Sequence, residues 1–229
     1  MPLTAVQIYP HLPQTNCGDC GVPTCMAFAM KLAQQQASLD DCPHVTDEAR
    51  SELEGASAPP MAKVTVGTGE NELEVGGETV LFRHEERFHN SCGIAPTVDA
   101  SMSDEQIVER IERINDAVYD RVGMMLGVDL IALRDGGNGS LASAAQLAVE
   151  NSDLPLVLLT DDPEAMEAAL EVCADTRPLL CGADADNLEA MMDLAEANDC
   201  PLVVRGSGLE ETADLGQAAA DADSDQFFV

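Results

Sequence analysis

Residues 154–173, LPLVLLTDDPEAMEAALEVC, decide how this chain folds. The first part is apolar along its whole length and reads as a strand buried in a parallel sheet. Asp161-Asp162-Pro163 then breaks the run, and a helical pattern follows to Ala174. A strand joined this directly to a helix is a βα unit.

The same alternation extends in both directions. RPLLCGAD (177–184) leads into NLEAMMDLAEAND, and PLVVRGS (201–207) leads into LEETADLGQAAADA. Upstream, VDLIALRD (128–135) precedes SLASAAQLAVEN, and IAPTVDA (94–100) precedes SDEQIVERIERIN, a helix capped at Ser103. AVYDRVG (117–123) reads as a further strand, and DQFFV (225–229) as the opening of another. Successive strands are spaced by about 23 to 27 residues, as βα repeats require. Either a (β/α)8 barrel or a doubly wound sheet satisfies that spacing. A whole barrel takes ~250 residues, so a barrel here is incomplete, with five βα units and one more strand. The expected class is α/β.

Ahead of these units, KVTVGTGENELEVGGETVLF (63–82) holds two alternating segments around a turn, the pattern of a β-hairpin. The Pro pair in SAPPM (57–61) marks a linker. The expected domains are therefore 1–57 and 58–229. In the first, Thr24 is placed to cap a helix through MAFAMKLAQQ, with Phe28, Ala29, Leu32 and Ala33 on one face. A second short helix is expected over TDEARSELEG (46–55), capped by Thr46.

Acidic residues number 42 against 11 basic ones, for a net charge of -31. Such a surface repels nucleic acid and anionic membrane, and neither is an expected partner. Only Lys31 and Lys63 are lysines, and the Asp-rich, Lys-poor composition suits a halophilic cytoplasm whose counter-ions screen the self-repulsion. No run approaches the ~20 apolar residues of a membrane span. MPLTAVQIYP has no basic, long apolar leader, so a cytoplasmic protein with reduced thiols is expected.

In that setting a dense cysteine group points to metal or catalysis. NCGDCGVPTC (16–25) carries Cys17, Cys20 and Cys25, and Cys42 follows just before Pro43. Gly18 and Gly21 give the loop the freedom to curl its sulfurs inward. The helix expected near Cys25 directs its N-terminus at a net-anionic cluster, and Cys-Pro recurs at iron–sulfur sites. The spacing favours a [4Fe-4S] cluster. The alternatives are a structural four-cysteine zinc site, which usually has two short Cys pairs where this chain has one, and free or redox thiols. Cys92, Cys173, Cys181 and Cys200 are isolated and read as small hydrophobes.

Three weaker features complete the reading. His84 and His89 flank acids in FRHEERFHN without a compact ligand spacing, and read as loop residues. Gly136-Gly137-Asn138-Gly139 lacks a P-loop lysine and reads as a βα turn. Asp135, Asp161, Asp162, Asp184 and Arg205 fall at C-terminal strand ends, where such folds bind ligands, but form no nucleophile–base pair.

MPLTAVQIYPHLPQTNCGDCGVPTCMAFAMKLAQQQASLDDCP resembles the N-terminus of the corrinoid iron–sulfur protein large subunits, also called gamma subunits of the acetyl-CoA decarbonylase/synthase complex. ETVLFRHEERFHN, DDPEAMEAAL and NLEAMMDLAEANDCPLVVRGSGLEE are similar to the same family. The resemblance implies a [4Fe-4S] domain, a TIM-type barrel and a C-terminal corrinoid domain, with a small (delta) subunit as partner. It implies methyl transfer on cobalt from a methyl-tetrahydropterin or methyl-tetrahydrofolate to acetyl-CoA synthase, within a corrinoid-dependent methyltransferase complex. The cluster's implied task is to return an electron to oxidised cobalt, and Cys17, Cys20, Cys25 and Cys42 match its ligands. The sequence stops inside the barrel, before a corrinoid domain, so cobalamin binding and catalysis are not expected of this chain alone. The competing function is a βα enzyme, or a fragment, with a structural metal site made by the four cysteines.

Overall fold

A computed structural model describes residues 4–33, 37–46, 49, 53, 63–78, 80, 84, 87, 88, 90–137, 140–221, 227 and 228. The chain divides into two compact units, Met1–Lys63 with Gly76–Asn90, and Val64–Val75 with Ser91–Val229.

The first unit is short of strands and packs on a small apolar centre. A single turn, α1 (Ala5–Ile8), opens with a capping box in which Gln7 Oε1 accepts from the Thr4 N–H at 2.9 Å. Pro10 carries the chain into a 3-10 turn at Tyr9–His11. The helix expected after Thr24 forms as α2 (Cys25–Ala33), and Thr24 Oγ1 accepts from the Ala27 N–H at 3.1 Å. Phe28 and Ala29 are buried with Ile8, Leu12, Val22 and Leu53, while Leu32 and Ala33 pack at the edge of that cluster. Burial of a side chain such as Phe28 contributes about 1.5–3 kcal/mol. Of the expected second helix, Thr46 Oγ1 accepts from the Ala49 N–H at 3.2 Å, as an N-cap would. Ala49 and Leu53 are helical and buried, while the other residues after Thr46 in that segment and the SAPPM linker lie outside the described residues.

The second unit holds a two-stranded pair, β1 (Lys63–Val66) with β2 (Leu73–Gly76), and a six-stranded sheet. The sheet strands are β3 (Thr97–Asp99), β6 (Ile131–Arg134), β7 (Leu156–Leu159), β8 (Leu179–Ala183), β9 (Leu202–Val204) and β10 (Phe227–Phe228). All pairings are parallel, with registers such as Ile131↔Leu156 and Leu180↔Leu202. The order β3-β6-β7-β8-β9-β10 follows the sequence without a reversal. The intervening helices are α3 (Asp104–Asn115), α4 (Leu141–Asn151), α5 (Pro163–Cys173), α6 (Leu188–Ala197) and α7 (Leu209–Asp221). Five βα units and one further strand are therefore present, the count the apolar runs give. Local chemistry sets the starts. Ser103 caps α3 through the Gln106 N–H, and Asp162 caps α5, where Pro163 stands at the first helical position, through the Glu164 N–H.

Strand alternation explains the layering. Ile131, Leu133, Leu156, Leu158, Leu180, Leu202 and Val204 lie in one cluster with buried residues of all five helices. Ala132 and Val157 point the other way, into a smaller cluster with Val66, joined at its edge by Leu73, Leu159, Leu179 and Cys181. The helices thus share one face, and the β1–β2 pair contributes to the other. A doubly wound sheet needs a reversal of order and helices on both faces, and neither occurs among the described residues. The β1–β2 connection is fixed by Gly67, whose N–H donates to the Arg177 carbonyl at 2.9 Å; a Cβ there would sit 2.6 Å from Pro155 Cγ.

The strand expected at 117–123 forms, but not as one of the βα units. AVYDRVG does not join the parallel sheet. Its Tyr119–Arg121 segment is β4, which pairs antiparallel with β5 (Met124–Leu126) as a separate ribbon. The strand residues of this hairpin are all exposed. No helix follows it before β6, so it is not a βα unit.

Candidate metal centre

The cysteine loop is built by left-handed backbone and closed by one side chain. Asn16, Gly18 and Gly21 have φ of +50°, +81° and +74°. The Gly21 N–H donates to the Gly18 carbonyl at 2.9 Å, which folds the segment between Cys17 and Cys20 into a tight turn. Glycine takes this backbone region without steric cost. Asn16 Oδ1 accepts from the Cys25 N–H at 2.8 Å and ties the start of the loop to the first residue of α2.

The four cysteines occupy different environments. Cys25 and Cys42 are buried in the apolar centre of the unit, and Cys20 packs at its edge. Cys17 is exposed. All four are free thiols. Cys17, Asp19 and His44 bring ligand atoms within 4.8 Å of one another, and among the described residues they are the one such group of three. His44 Nε2 lies 2.7 Å from Asp19 Oδ2, and hydrogen bonds from His44 and then Cys17 hold the Asp19 carboxyl below its ordinary value. Sequence reading passed over Asp19 and His44; the signal was the run Cys42-Pro43-His44, which returns His44 to the loop.

The donor set suits a thiophilic metal or cluster. Four sulfurs are available, two of them buried among apolar side chains, and the amide of Cys25 opens a helix of nine residues. Four thiolates around zinc at ≈2.3 Å would bring their sulfurs to roughly 3.8 Å of one another. Among the described residues no three sulfurs lie within 4.8 Å of one another.

The other sequence candidates are used by the fold. Asp135 Oδ2 accepts from Thr160 Oγ1 at 3.3 Å and its Oδ1 from the Gly137 N–H at 3.1 Å. Asp162 is a helix cap, and Asp184 Oδ1 accepts from the Asp186 N–H at 3.0 Å. The Asp161 carbonyl accepts from Asn187 Nδ2 at 2.7 Å, while the Arg205 N–H donates to the Ala183 carbonyl at 2.8 Å. A cleft of about 220 Å³ beside Asp135 and Asp162 contains no nucleophile–base pair. In the Gly136–Gly139 turn, Gly136 abuts Ser101, while Asn138 and Gly139 lie outside the described residues, as does His89. Cys173 and Cys200 are buried, as expected, and burial pushes their thiols up to about 11 and about 12. Cys181 is half-buried and its thiol is also raised by burial, while Cys92 is exposed, unlike the small buried hydrophobe expected.

Fold and site together define an α/β protein with a small cysteine-loop unit and a larger unit of sequential βα repeats. A family model described as CO dehydrogenase/acetyl-CoA synthase delta subunit matches residues 63–228, and one described as "Putative Fe-S cluster" matches residues 12–44. The chain belongs to the CO dehydrogenase/acetyl-CoA synthase delta subunit family. Along nearly its whole length it is similar to proteins named large or gamma subunits. It is 48% identical over 217 residues to the corrinoid/iron-sulfur protein large subunit of Moorella thermoacetica, covering 94% of this chain and 49% of that protein. It is 40% identical over 220 residues to the acetyl-CoA decarbonylase/synthase complex subunit gamma of Methanothermobacter thermautotrophicus (95% and 48% covered). The corresponding subunit of Methanopyrus kandleri is 41% identical over 216 residues (93% and 46%). The chain spans about half the length of these curated relatives. No helix among the described residues is long and apolar enough to cross a membrane.

Proposed function

We propose that Cys17, Cys20, Cys25 and Cys42 hold one [4Fe-4S] cluster and that the chain is the iron–sulfur portion of a corrinoid methyl carrier in acetyl-CoA synthesis or cleavage. The observation that carries this reading is a coincidence of position. The iron–sulfur match over residues 12–44 spans all four cysteines and the turn that Gly18, Gly21 and Asn16 shape. The names of the relatives, which join corrinoid to iron–sulfur, support the pairing with cobalt.

When bound, the cluster supplies one-electron reduction of cobalt that has left its methyl-accepting state. The chain's own residues bind and shield. Cys25 and Cys42 keep two ligands out of water, Phe28 and Val22 wall the same side, and the Cys25 end of α2 supplies a positive dipole end. The corrinoid and the methyl donor, a pterin or folate, belong to the whole carrier and its partners: the small (delta) subunit, the methyltransferase and acetyl-CoA synthase. The chain alone is then not catalytic.

The cluster domain is taken as residues 1–57. Residues 58–229 are taken as part of a TIM-type barrel, whose helices form an outer ring; the sequential strand order and the helices on one face of the sheet support that reading. The cytoplasm, rich in salt and poor in oxidant, is the compartment that the free thiols and the acidic surface suit.

The test is electron delivery. The reduced, cluster-loaded chain is mixed anaerobically with a Co(II) corrinoid protein of the family. Loss of the Co(II) EPR signal is expected. Persistence of that signal while the cluster reoxidises by another route would contradict the proposed role.

A further inference from the structure

The β4–β5 ribbon displays apolar side chains that the fold does not use. Val118, Tyr119, Val122, Met124, Met125 and Leu126 are 52%, 68%, 95%, 62%, 68% and 45% exposed. Monomeric surfaces rarely keep so dense an apolar patch without a partner. The pairing Tyr119↔Leu126 and Arg121↔Met124 puts Tyr119, Met124 and Leu126 on one face, with Val122 and Gly123 as the two-residue turn.

The turn itself is costly. Val122 and Gly123 have φ of +54° and +78°, the pattern of a type I′ hairpin, which favours Asn-Gly. A β-branched residue in this region is a true outlier, and local stability would be better served by asparagine. Strain of this kind clusters at binding and switch sites. The ribbon also adjoins an open cleft of about 690 Å³, whose lining mixes apolar side chains such as Val118 and Val149 with polar ones, Asn115, Glu150 and Asp153 among them.

Charge selects the occupant. Asp120 and Arg121 balance each other within the ribbon, but Asp116 and Asp129 flank it and Glu150 and Asp153 line the cleft, so the seat is acidic like the rest of a chain of net charge -31. A second copy would bring another -31 to the contact, and an anionic membrane would be repelled. A different polypeptide with an apolar centre and no acidic excess meets neither penalty. Adaptable methionines suit such a contact.

We propose that the β4–β5 ribbon, tipped by Val122, docks a heterologous subunit, with the adjoining cleft as part of the seat. The inference rests on the reading of the chain as one subunit of a carrier complex, and the small (delta) subunit is the probe.

Binding of the purified chain to that subunit is measured by calorimetry, with light scattering on the chain alone. Val122→Asn should raise or preserve the melting temperature yet weaken binding at least tenfold. Met124→Glu, at an exposed site, should weaken it further without unfolding the chain. If the native chain binds and both variants bind within twofold of it, the ribbon is not the docking surface, while the subunit reading stands. If the native chain does not bind the small subunit at all, the subunit reading fails and the inference with it. A homodimer that Val122→Asn makes monomeric would also overturn the inference in favour of self-association.

Discussion

Asn16 and Cys25 are joined across the cysteine loop: Asn16 Oδ1 accepts from the Cys25 N–H at 2.8 Å, and Asn16 holds a left-handed φ of +50° to do so. One residue thus sets both the turn before Cys17 and the start of α2. Replacing Asn16 by Ala removes the acceptor and leaves a residue less tolerant of the left-handed region. The two effects together are expected to cost about 2 kcal/mol. The measurement is a thermal melt of the chain together with iron bound per chain after anaerobic reconstitution. Both should fall for Asn16→Ala, and stability should recover in Asn16→Asp, which keeps the acceptor.

Gly182 tests the sheet. Its φ is +144°, and a Cβ would lie 1.9 Å from the Thr160 carbonyl oxygen, beside the register irregularity in β8. Gly182→Ala must push β8 away from the end of β7. A loss of roughly 4 kcal/mol or more is expected, seen as insoluble protein or a collapsed melting temperature. Gly137→Ala, whose Cβ meets nothing within 4 Å, should cost about 1 kcal/mol from its positive φ alone.

The buried thiols set an alkaline limit. The ordinary cysteine value is 9.0, and burial raises Cys173 to about 11 and Cys200 to about 12. A raised folded value means that the unfolded chain releases protons first as pH rises. The contribution of these thiols to stability is therefore whole below about pH 9 and is lost progressively toward pH 11 to 12. Denaturant melts across that range should show a falling midpoint, and Cys173→Ala/Cys200→Ala should flatten the fall. At about pH 8 in the native state, alkylation should mark exposed Cys92 and spare both buried residues.

Much of the larger unit was legible because buried parallel strands write themselves as apolar runs. Leu156–Leu159 and Leu179–Ala183 appear within the runs that suggested them, and Ser103 and Asp162 cap the helices they precede. The order of strands was not legible. It depends on which face each helix covers, which alternation within a strand such as Ile131–Arg134 does not specify. The strand at 117–123 was legible, but not its antiparallel pairing with Met124–Leu126, which no helix separates from it. The Asn16–Cys25 link was hidden, since it joins residues nine apart through a left-handed turn, a pattern without periodicity.

The acidic surface predicts a salt requirement. With 42 acids against 11 basic residues, self-repulsion acts on the folded state until counter-ions screen it. The Debye length falls from about 8 Å at physiological ionic strength to about 3 Å at 1 M salt. The melting temperature should therefore rise steeply with KCl up to about 1 M and then level off. A melt indifferent to KCl would remove the case for a salt-rich compartment.

The central claim is the cluster, and metal analysis coupled to EPR tests it most directly. The anaerobically prepared chain should contain about four iron and about four acid-labile sulfide. Reduction should give an EPR signal that is lost on replacing any of Cys17, Cys20, Cys25 or Cys42 by serine, and is kept in Cys92→Ser. One zinc per chain with no sulfide, or an iron signal untouched by the four replacements, would contradict the account.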